Sequence, residues 1–508
     1  MMTWRTTRRL ALVALMLGSF VPTIAAKTAL PPIERITLPN GLTVLLLADS
    51  ANPFVDLRFI VKAGSASDPQ GKEGLADLTA SMLTNGTKAR SEDEIAQTLD
   101  DMGAYLSASA SIDGMMLNGS VVTLDPSHLD TFLGVFHDCL RHATFPEESL
   151  KKTRTLTEAA IKRMADRHSL LASEAFRAAL YGSGPRGRLA TLGSLAELTR
   201  EDLIAFRDRV VIPQHAILAI AGDFNLEAMM TWVTTHLGDP NWGRGVCRPS
   251  DVPGTCGRLC TGEVCLDNPM ASSRFKDTPE APVVLLIDRA DPSINQVQWR
   301  MGMDSPVVLT DPEWAAFRVG TQILGGDFTA RLNTTLRVKE GLTYGARFHV
   351  GYGARDSGSM RISTYVAPKD LAKALELSVA EIRGVTAAPL ERDEIDNFKA
   401  KIVNAFPFRF ETVSDTLGEY LSLAAEGVDV AWLEGYTDKI ATPTAADIHT
   451  AVQSIKPEAM TLVAVGNRDL VPTLAAYGRV KIVTADDFLA SGLSKAVWAD
   501  EVNKESQP

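Results

Sequence analysis

The sequence predicts an α+β protein with two homologous halves, each a duplicated α/β sandwich with a mostly antiparallel sheet and helices packed on one face. Two observations predict this class. The order strand, strand, helix, hairpin, helices, strand occurs twice, in units of roughly 220 residues. A segment rich in cysteine, proline and glycine separates the two units. The predicted divisions are a signal peptide (1–26), a first half (27–240), a Cys-rich linker (241–281), a second half (282–490) and a tail (491–508).

The first half opens with a hairpin over 34–49, in which the Pro-Asn-Gly sequence at 39–41 supplies the turn. Ser91 and Glu94 form a capping-box pattern, which predicts that a helix starts after Ser91. The other predicted elements are strands at 55–61, 105–110, 115–123 and 216–221 and helices at 75–83, 128–141, 147–180, 200–209 and from 226 onward.

The second half repeats this alternation. Its last strand ends at Gly466-Asn467, as the last strand of the first half ends at Gly222-Asp223. The predicted elements are strands at 283–287, 293–303, 343–350, 358–367 and 460–465 and helices at 311–324, 328–338, 368–385 and 391–405.

Composition limits the classes of function. The chain has 508 residues, of which 45% are hydrophobic and 22% charged, and its formal net charge is −11. This balance is typical of globular proteins. Because no basic stripe stands out, nucleic acid is a poor candidate for a partner.

The N-terminus has the pattern of an export signal. Arg5, Arg8 and Arg9 precede an apolar run at 10–20, and small residues suitable for cleavage follow at 23–26. The apolar run is short for a membrane span, and no later stretch is long and apolar enough. We therefore expect an exported protein, periplasmic in a Gram-negative source, without stable membrane insertion after cleavage. The alternative is an uncleaved anchor.

The cysteines are unevenly distributed. Cys139 lies alone in an amphipathic segment and is predicted to be a small buried side chain. Cys247, Cys256, Cys260 and Cys265 crowd the linker. In an exported protein such a group favours two disulfides, with three possible pairings. A zinc cluster is the alternative, although the spacing lacks paired C-x-x-C motifs.

Three segments, 38–42, 63–87 and 324–345, together resemble the pitrilysin/insulinase family of inverted zincins. The first is Leu-Pro-Asn-Gly-Leu, with which the family opens its first domain. The second resembles the family's loop and zinc helix. The third resembles its second-half signature, from Leu-Gly-Gly to Gly-Leu-Thr-Tyr-Gly. The resemblance extends over nearly the whole chain after the signal segment.

The zinc helix of the family carries H-x-x-E-H, and the matching positions here are Asp77, Ala80 and Ser81. Two histidines one helical turn apart can hold zinc, and the glutamate between them can take a proton from the metal-bound water. Neither histidine nor the glutamate is present. The resemblance implies a third ligand at Glu158 or Ala160, and the sequence leaves both positions open.

The second-half motif is intact. By resemblance, Arg337 and Tyr344 hold substrate at the zinc of an opposite half, and Arg331 is a further candidate for binding substrate. A tyrosine can donate a hydrogen bond to a developing oxyanion, and an arginine can bind peptide carbonyls or a carboxylate. The alternative is structural: Arg337 pairs with Glu340 and Tyr344 packs on the sheet.

These features favour a non-catalytic subunit that binds no metal itself and works with a zinc-binding sister chain of the same family, which hydrolyses unfolded peptides. Arg337 and Tyr344 would complete the active site in trans. One alternative is a structural or peptide-holding scaffold without a role in proteolysis. Another is autonomous hydrolysis at a different metal site.

Overall fold

The computed structural model describes residues 30–243, 258–261, 264–267, 282–291, 293–353 and 357–501. The predicted signal segment, Cys247 and Cys256 lie outside these ranges. The first sheet contains β1 (Glu34–Thr37), β2 (Thr43–Ala48), β3 (Phe54–Val61), β4 (Tyr105–Ala110), β5 (Met115–Val122) and β6 (Ala216–Gly222). The helices of this half are α1 (Leu75–Ser81), α2 (Glu92–Asp101), α3 (Pro126–His142), α4 (Glu147–Met164), α5 (His168–Tyr181), α6 (Leu192–Ala196), α7 (Arg200–Val210) and α8 (Leu226–Leu237).

A short hairpin follows, with β7 (Arg258–Thr261) antiparallel to β8 (Val264–Asp267). Cys260 and Cys265 are opposite each other in its register. The second sheet contains β9 (Val284–Asp288), β10 (Val297–Asp304), β11 (Arg347–Tyr352), β12 (Ser357–Val366), β13 (Thr461–Gly466), β14 (Val480–Thr484) and β15 (Val497–Trp498). The helices of this half are α9 (Trp314–Gly325), α10 (Arg331–Asn333), α11 (Leu371–Thr386), α12 (Arg392–Ala405), α13 (Val413–Glu426), α14 (Ala431–Glu434), α15 (Tyr436–Ala441), α16 (Ala445–Val452), α17 (Val471–Leu474) and α18 (Ala485–Ser491).

The two sheets share one topology, which confirms the predicted α+β fold with two homologous halves. The order β2-β6-β3-β5-β4 in the first sheet recurs as β9-β13-β10-β12-β11 in the second. In both, the pair β2–β6 or β9–β13 is parallel and the other pairs of this series are antiparallel. By this correspondence α1, α4 and α5 match α9, α12 and α13.

The halves differ at one sheet edge. In the first half, β1 pairs with β2 through the predicted hairpin. In the second half, the place beside β9 is taken by β14, which runs parallel to it, and β15 pairs with β14. Residues predicted as a tail therefore contribute a strand to the second sheet.

Each half sends one helix to the sheet of the other half. Helix α5 packs on β10 and β13, and α13 packs on β6 and β2. Strands β6, β9 and β13 are buried along their whole length because both faces of each sheet are covered. The result is two apolar cores that each combine residues of both halves.

The predicted helix at 147–180 is two helices, since α4 ends at Met164 and α5 begins at His168. In the turn between them, the N–H of Arg167 donates to the oxygen of Met164 at 3.0 Å. This break lets α5 leave the first half and reach the second sheet. The predicted helix at 328–338 is also divided, into α10 and a π-helical segment, Thr334–Lys339.

Candidate functional site

Helix α1, which matches the zinc helix of the family resemblance, is held at its start by Asp68. The carboxylate of Asp68 accepts hydrogen bonds from the N–H groups of Gly74 and Ala76, both at 2.8 Å. It thereby satisfies donors that a helix leaves unpaired at its N-terminus. Burial raises the pKa of Asp68 to about 7 despite these bonds. Residue 74 has φ of +99°, and a Cβ there would lie 2.8 Å from Leu195, so glycine suits the position.

Asp77 and Ser81 lie one turn apart on α1 and line the same cavity. The Ser81 hydroxyl donates to the main-chain oxygen of Asp77 at 2.8 Å. Burial raises the pKa of Asp77 to about 6; Arg177 nearby lowers it and Glu174 raises it. Ala80 is fully buried and does not line the cavity. Two of the three degenerate positions therefore face the cavity.

The cavity has a volume of about 940 Å³ and lies between α1, α4 and α5, with further walls from β12 and α18. On α4, Thr157 and Ala160 line it, whereas Glu158 does not. Of the two positions that the sequence leaves open for a third zinc ligand, Ala160 therefore faces the cavity and Glu158 does not.

This donor set does not fit zinc. Asp77 offers a carboxylate, but Ser81 offers a neutral hydroxyl that already donates to the main chain, and Ala160 offers no donor atom. Among the residues that the structure describes, no three His, Cys, Asp or Glu side chains come together as a metal site.

Four arginines also line the cavity: Arg177, Arg186, Arg188 and Arg361. Arg177 pairs with Glu174, its Nη2 2.7 Å from Oε2, and it also donates to the main-chain oxygens of Arg186 and Arg188 at 2.7 and 3.0 Å. This pins the loop after α5 against the cavity. Arg361 reaches the cavity from β12, and no described carboxylate forms an ion pair with it. The cavity can accommodate polar, partly anionic ligands such as peptide segments.

The second-half motif lies elsewhere. Neither Arg337 nor Tyr344 lines this cavity. Tyr344 is 80% exposed, and the guanidinium of Arg337 stacks 4.2 Å from the ring centre of Phe328, which is also exposed. Glu340 forms an ion pair with Lys373, and within the described part of the chain it forms none with Arg337, the alternative that the sequence suggested.

The backbone around Tyr344 is firmly held. The Thr364 hydroxyl, which is buried, donates to the oxygen of Gly345 at 2.8 Å and lies 3.1 Å from the Thr343 hydroxyl. Asn333, also buried, donates to the oxygen of Phe328 at 2.6 Å and accepts from the N–H of Ala346 at 3.2 Å. An exposed side chain on a fixed backbone is suited to binding, because little freedom is lost when it engages a ligand.

Arg331 has a different environment. Its Nε and Nη2 donate to the two carboxylate oxygens of Glu394 at 2.9 and 2.6 Å. This two-bond contact joins α10 to α12 and occupies the guanidinium. In the structure Arg331 is therefore an ion-pair partner within the second half.

Sequence reasoning missed the residues that support these motifs. Asp68 lies six residues before Gly74 in a loop that gave no signal beyond polarity. Asn333 and Thr364 act through contacts distant in sequence. Arg361 lies in the second half and becomes part of the cavity only through the packing of the two halves.

The prediction that Cys139 is a small buried side chain is confirmed. Cys139 is buried in α3, and burial raises the pKa of its thiol to about 12. No helix within the described ranges is long and apolar enough to cross a membrane. The disulfides of the linker remain a prediction.

Two sequence models of one peptidase family match the chain. "Insulinase (Peptidase family M16)" matches residues 43–190, and "Peptidase M16 inactive domain" matches residues 197–402. An uncharacterised zinc protease of Mycobacterium leprae is 24% identical over 345 residues, covering 68% of this chain and 71% of the relative. A protein of Helicobacter pylori named a non-peptidase homolog is 22% identical over 417 residues, covering 80% of this chain and 86% of the relative.

Solved structures share the fold. An M16 inactive domain from Pseudomonas fluorescens has a TM-score of 0.72 at 21% identity, over 86% of this chain and 98% of that one. The periplasmic protease PqqL of Escherichia coli has a TM-score of 0.65 at 16% identity, over 87% of this chain but 47% of PqqL. This chain therefore matches slightly under half of that protease.

Proposed function

Because this chain belongs to the insulinase family, peptidase family M16, we propose that it is the metal-free subunit of an exported zinc metallopeptidase complex. Its sister chain carries the zinc and hydrolyses unfolded peptides. This chain supplies Arg337 and Tyr344 to that active site. The observation that carries the proposal is the rigid presentation of Tyr344, which is 80% exposed although its backbone is fixed by buried hydrogen bonds.

The side chains at the expected metal-ligand positions favour a non-catalytic role for this chain. Asp77, Ser81 and Ala160 line one cavity at positions where the family resemblance implies metal ligands, and their side chains do not suit zinc. Proteolysis by this chain would need a metal from elsewhere. A sister chain with intact H-x-x-E-H provides one.

The location of the second-half motif supports action in trans. Arg337 and Tyr344 do not line the cavity of Asp77 and Ser81, which favours a role at a zinc site of another unit. PqqL has room for a second unit of comparable size, since this chain covers 47% of it. Tyr344 would donate to the oxyanion of the hydrolysed peptide bond, and Arg337 would bind the substrate backbone.

The export prediction is part of the proposal. Residues 1–26 have the pattern of a signal peptide, and PqqL is a periplasmic protein. Both observations support a periplasmic complex in a Gram-negative source, which is part of the proposal.

The test is reconstitution. The chain is co-expressed with a family member that carries H-x-x-E-H, the complex is purified, and cleavage of an unfolded peptide is measured. We expect Tyr344→Phe to lower kcat by about a hundredfold without dissociating the complex. Tyr105→Phe is the matched control, because Tyr105 is also exposed, on β4. Equal activity of the two variants would refute the role of Tyr344.

The second candidate function is a peptide-holding scaffold without a role in proteolysis. The relative from Helicobacter pylori, named a non-peptidase homolog, favours it. A scaffold would bind unfolded peptide alone and would co-purify with no zinc-bearing family member. Peptide binding that survives in the absence of any such member, with no gain of cleavage on adding one, would support this candidate.

A further inference from the structure

The second half contains a cavity at the place that corresponds to the degenerate zinc site. Helices α9, α12 and α13, the counterparts of α1, α4 and α5, form its walls, and its volume is about 640 Å³. We call it the second-half cavity. None of the site residues implied by the family resemblance lines this cavity. The kind of ligand it could bind therefore depends on the side chains that do line it.

Aromatic rings form much of the wall. Trp314 on α9 lies 4.9 Å from Trp432 and 6.0 Å from Tyr352, measured between ring centres. Phe406 and Tyr436 stack at 4.5 Å. Such a cluster offers a large apolar contact area to a ring or a bulky aliphatic group.

Three cations line the cavity, and two are already paired. Lys401 lies 3.0 Å from Asp327, and Arg409 forms a two-bond contact with Glu419. The third is Arg318, for which no ion pair exists among the described carboxylates. Its Nε is buried without a hydrogen-bond partner among the described residues. Its guanidinium lies 5.8 Å from the ring centre of Tyr352 and also hydrogen-bonds to the Tyr352 side chain.

A second donor lies one helical turn away. Trp314, at position i relative to Arg318 at i+4, is 5% exposed, and no described residue forms a hydrogen bond with its Nε1. Buried donors without acceptors are uncommon in folded proteins and destabilise them, so each such group calls for an explanation. A ligand that brings acceptor oxygens would satisfy both.

We propose that the second-half cavity binds a carboxylate that carries an aromatic or bulky apolar group. Arg318 is the charged contact for the carboxylate, with Trp314 as a neighbouring donor. The aromatic wall takes the apolar group. This site does not depend on the sister chain of the proposed function.

The carboxylate has two possible sources, the C-terminus of a peptide and a free small acid. The surroundings favour the peptide. Tyr352 and Ser422 line both this cavity and an adjoining one of about 470 Å³. That one in turn shares Ser111 and Arg186 with the cavity of Asp77. Because the three cavities share lining residues in this way, we take an extended peptide that ends at Arg318 as the source of the carboxylate.

The experiment uses the purified chain alone. Calorimetry measures the binding of three probes: an N-acetylated tripeptide ending in phenylalanine, the same peptide as its C-terminal amide, and 3-phenylpropanoate. Tryptophan fluorescence is a second measurement, since two of the seven tryptophans, Trp314 and Trp432, line the cavity. We expect the free-acid peptide to bind at least about tenfold more tightly than the amide, because the amide loses the charged contact. We expect Arg318→Gln to weaken the free acid by a similar factor.

Arg392→Gln is the matched control, since Arg392 is 92% exposed on α12 and does not line the cavity; it should leave binding unchanged. Arg318→Lys keeps the charge and should bind with intermediate affinity. If 3-phenylpropanoate binds as tightly as the peptide, the source is a free acid; if it binds much more weakly, the source is a peptide end. Equal binding of acid and amide by the unmodified chain, or no binding of any probe, would overturn the proposal, and this comparison does not depend on the folding of a variant.

Discussion

Arg300 of the second half donates from Nη2 to both the main-chain oxygen and the hydroxyl of Ser169 in the first half, at 2.9 and 2.8 Å. Arg58 of the first half makes the corresponding contact with the second half: its Nη2 donates to the main-chain oxygen and the hydroxyl of Ser414 at 3.1 and 2.7 Å. Each serine is the second residue of the helix that crosses to the other sheet. Two corresponding arginine–serine contacts therefore anchor the helix exchange.

The two arginines differ in whether a carboxylate neutralises their charge. Arg58 also pairs with Asp56 at 2.8 Å, whereas Arg300 is 3% exposed and no described carboxylate pairs with it. We expect Ser169→Ala to lower the free energy of unfolding by about 1–3 kcal/mol, because a buried charged donor loses an acceptor. Urea denaturation measures this. Ser107→Ala, on an exposed strand position, should change it by less than about 0.5 kcal/mol; similar effects of both changes would contradict the role of the contact.

Asp77 predicts a pH-dependent stability. Burial raises its pKa from 3.8 to about 6, so the folded protein holds a proton that the unfolded chain releases. The resulting stabilisation is complete below about pH 4 and is lost as the pH rises through about 6. Asparagine resembles the protonated acid and does not titrate. We expect Asp77→Asn to match the parent at about pH 4 and to exceed its free energy of unfolding by up to about 3 kcal/mol at about pH 8.

Urea titrations across this range measure the difference. Asp100→Asn, the same substitution at an exposed position of α2, is the control. A constant difference between Asp77→Asn and the parent at all pH values would contradict the assigned pKa.

The place of the third ligand can be tested by building a zinc site. We expect Asp77→His with Ser81→His and Ala160→Glu to bind about one zinc ion per chain, measured by competition with a chromophoric chelator. Omitting Ala160→Glu should weaken binding by at least about tenfold, and adding Glu158→Gln should have no effect. The opposite pattern would place the third ligand at 158 and contradict the cavity geometry.

Arg331 and Glu394 should be coupled energetically. The side chains are 28% and 25% exposed, and both oxygens of the carboxylate accept from the guanidinium. We expect a double-mutant cycle to give a coupling of about 1–3 kcal/mol in the free energy of unfolding. The pair Arg392–Asp396, at 3.6 Å and largely exposed, should give about 0.5 kcal/mol or less. A coupling as small as that of the control would leave Arg331 available for substrate.

Much of the fold follows from local patterns. The capping box of Ser91 and Glu94 forms as predicted, and α1 begins at Leu75 as the loop pattern indicates. The repeated order of elements was sufficient to predict two homologous halves. These features are set by residues that are close to one another in sequence, so a single sequence is enough to predict them.

The sequence alone does not show which surfaces of helices and sheets pack against each other. Helix α5 is buried at Leu171, Ala175 and Phe176, but apolar residues at helical spacing do not say which sheet they cover. The orientation of α4 is set by burial of Leu150 and Ile161, and that orientation brings Ala160 rather than Glu158 to the cavity. Both answers depend on tertiary packing.

The crossing of α5 and α13 has a consequence for how such a chain can arise. A single ancestral half would expose one face of its sheet, because the helix that covers this face comes from the other half. Such a protein would exist as a dimer of identical chains that exchange this helix. Fusing the twins preserves that pairing within one polypeptide. The repeated sequence unit is then only half of the cooperative folding unit. Either half produced alone should aggregate. The two halves produced together as separate fragments should assemble.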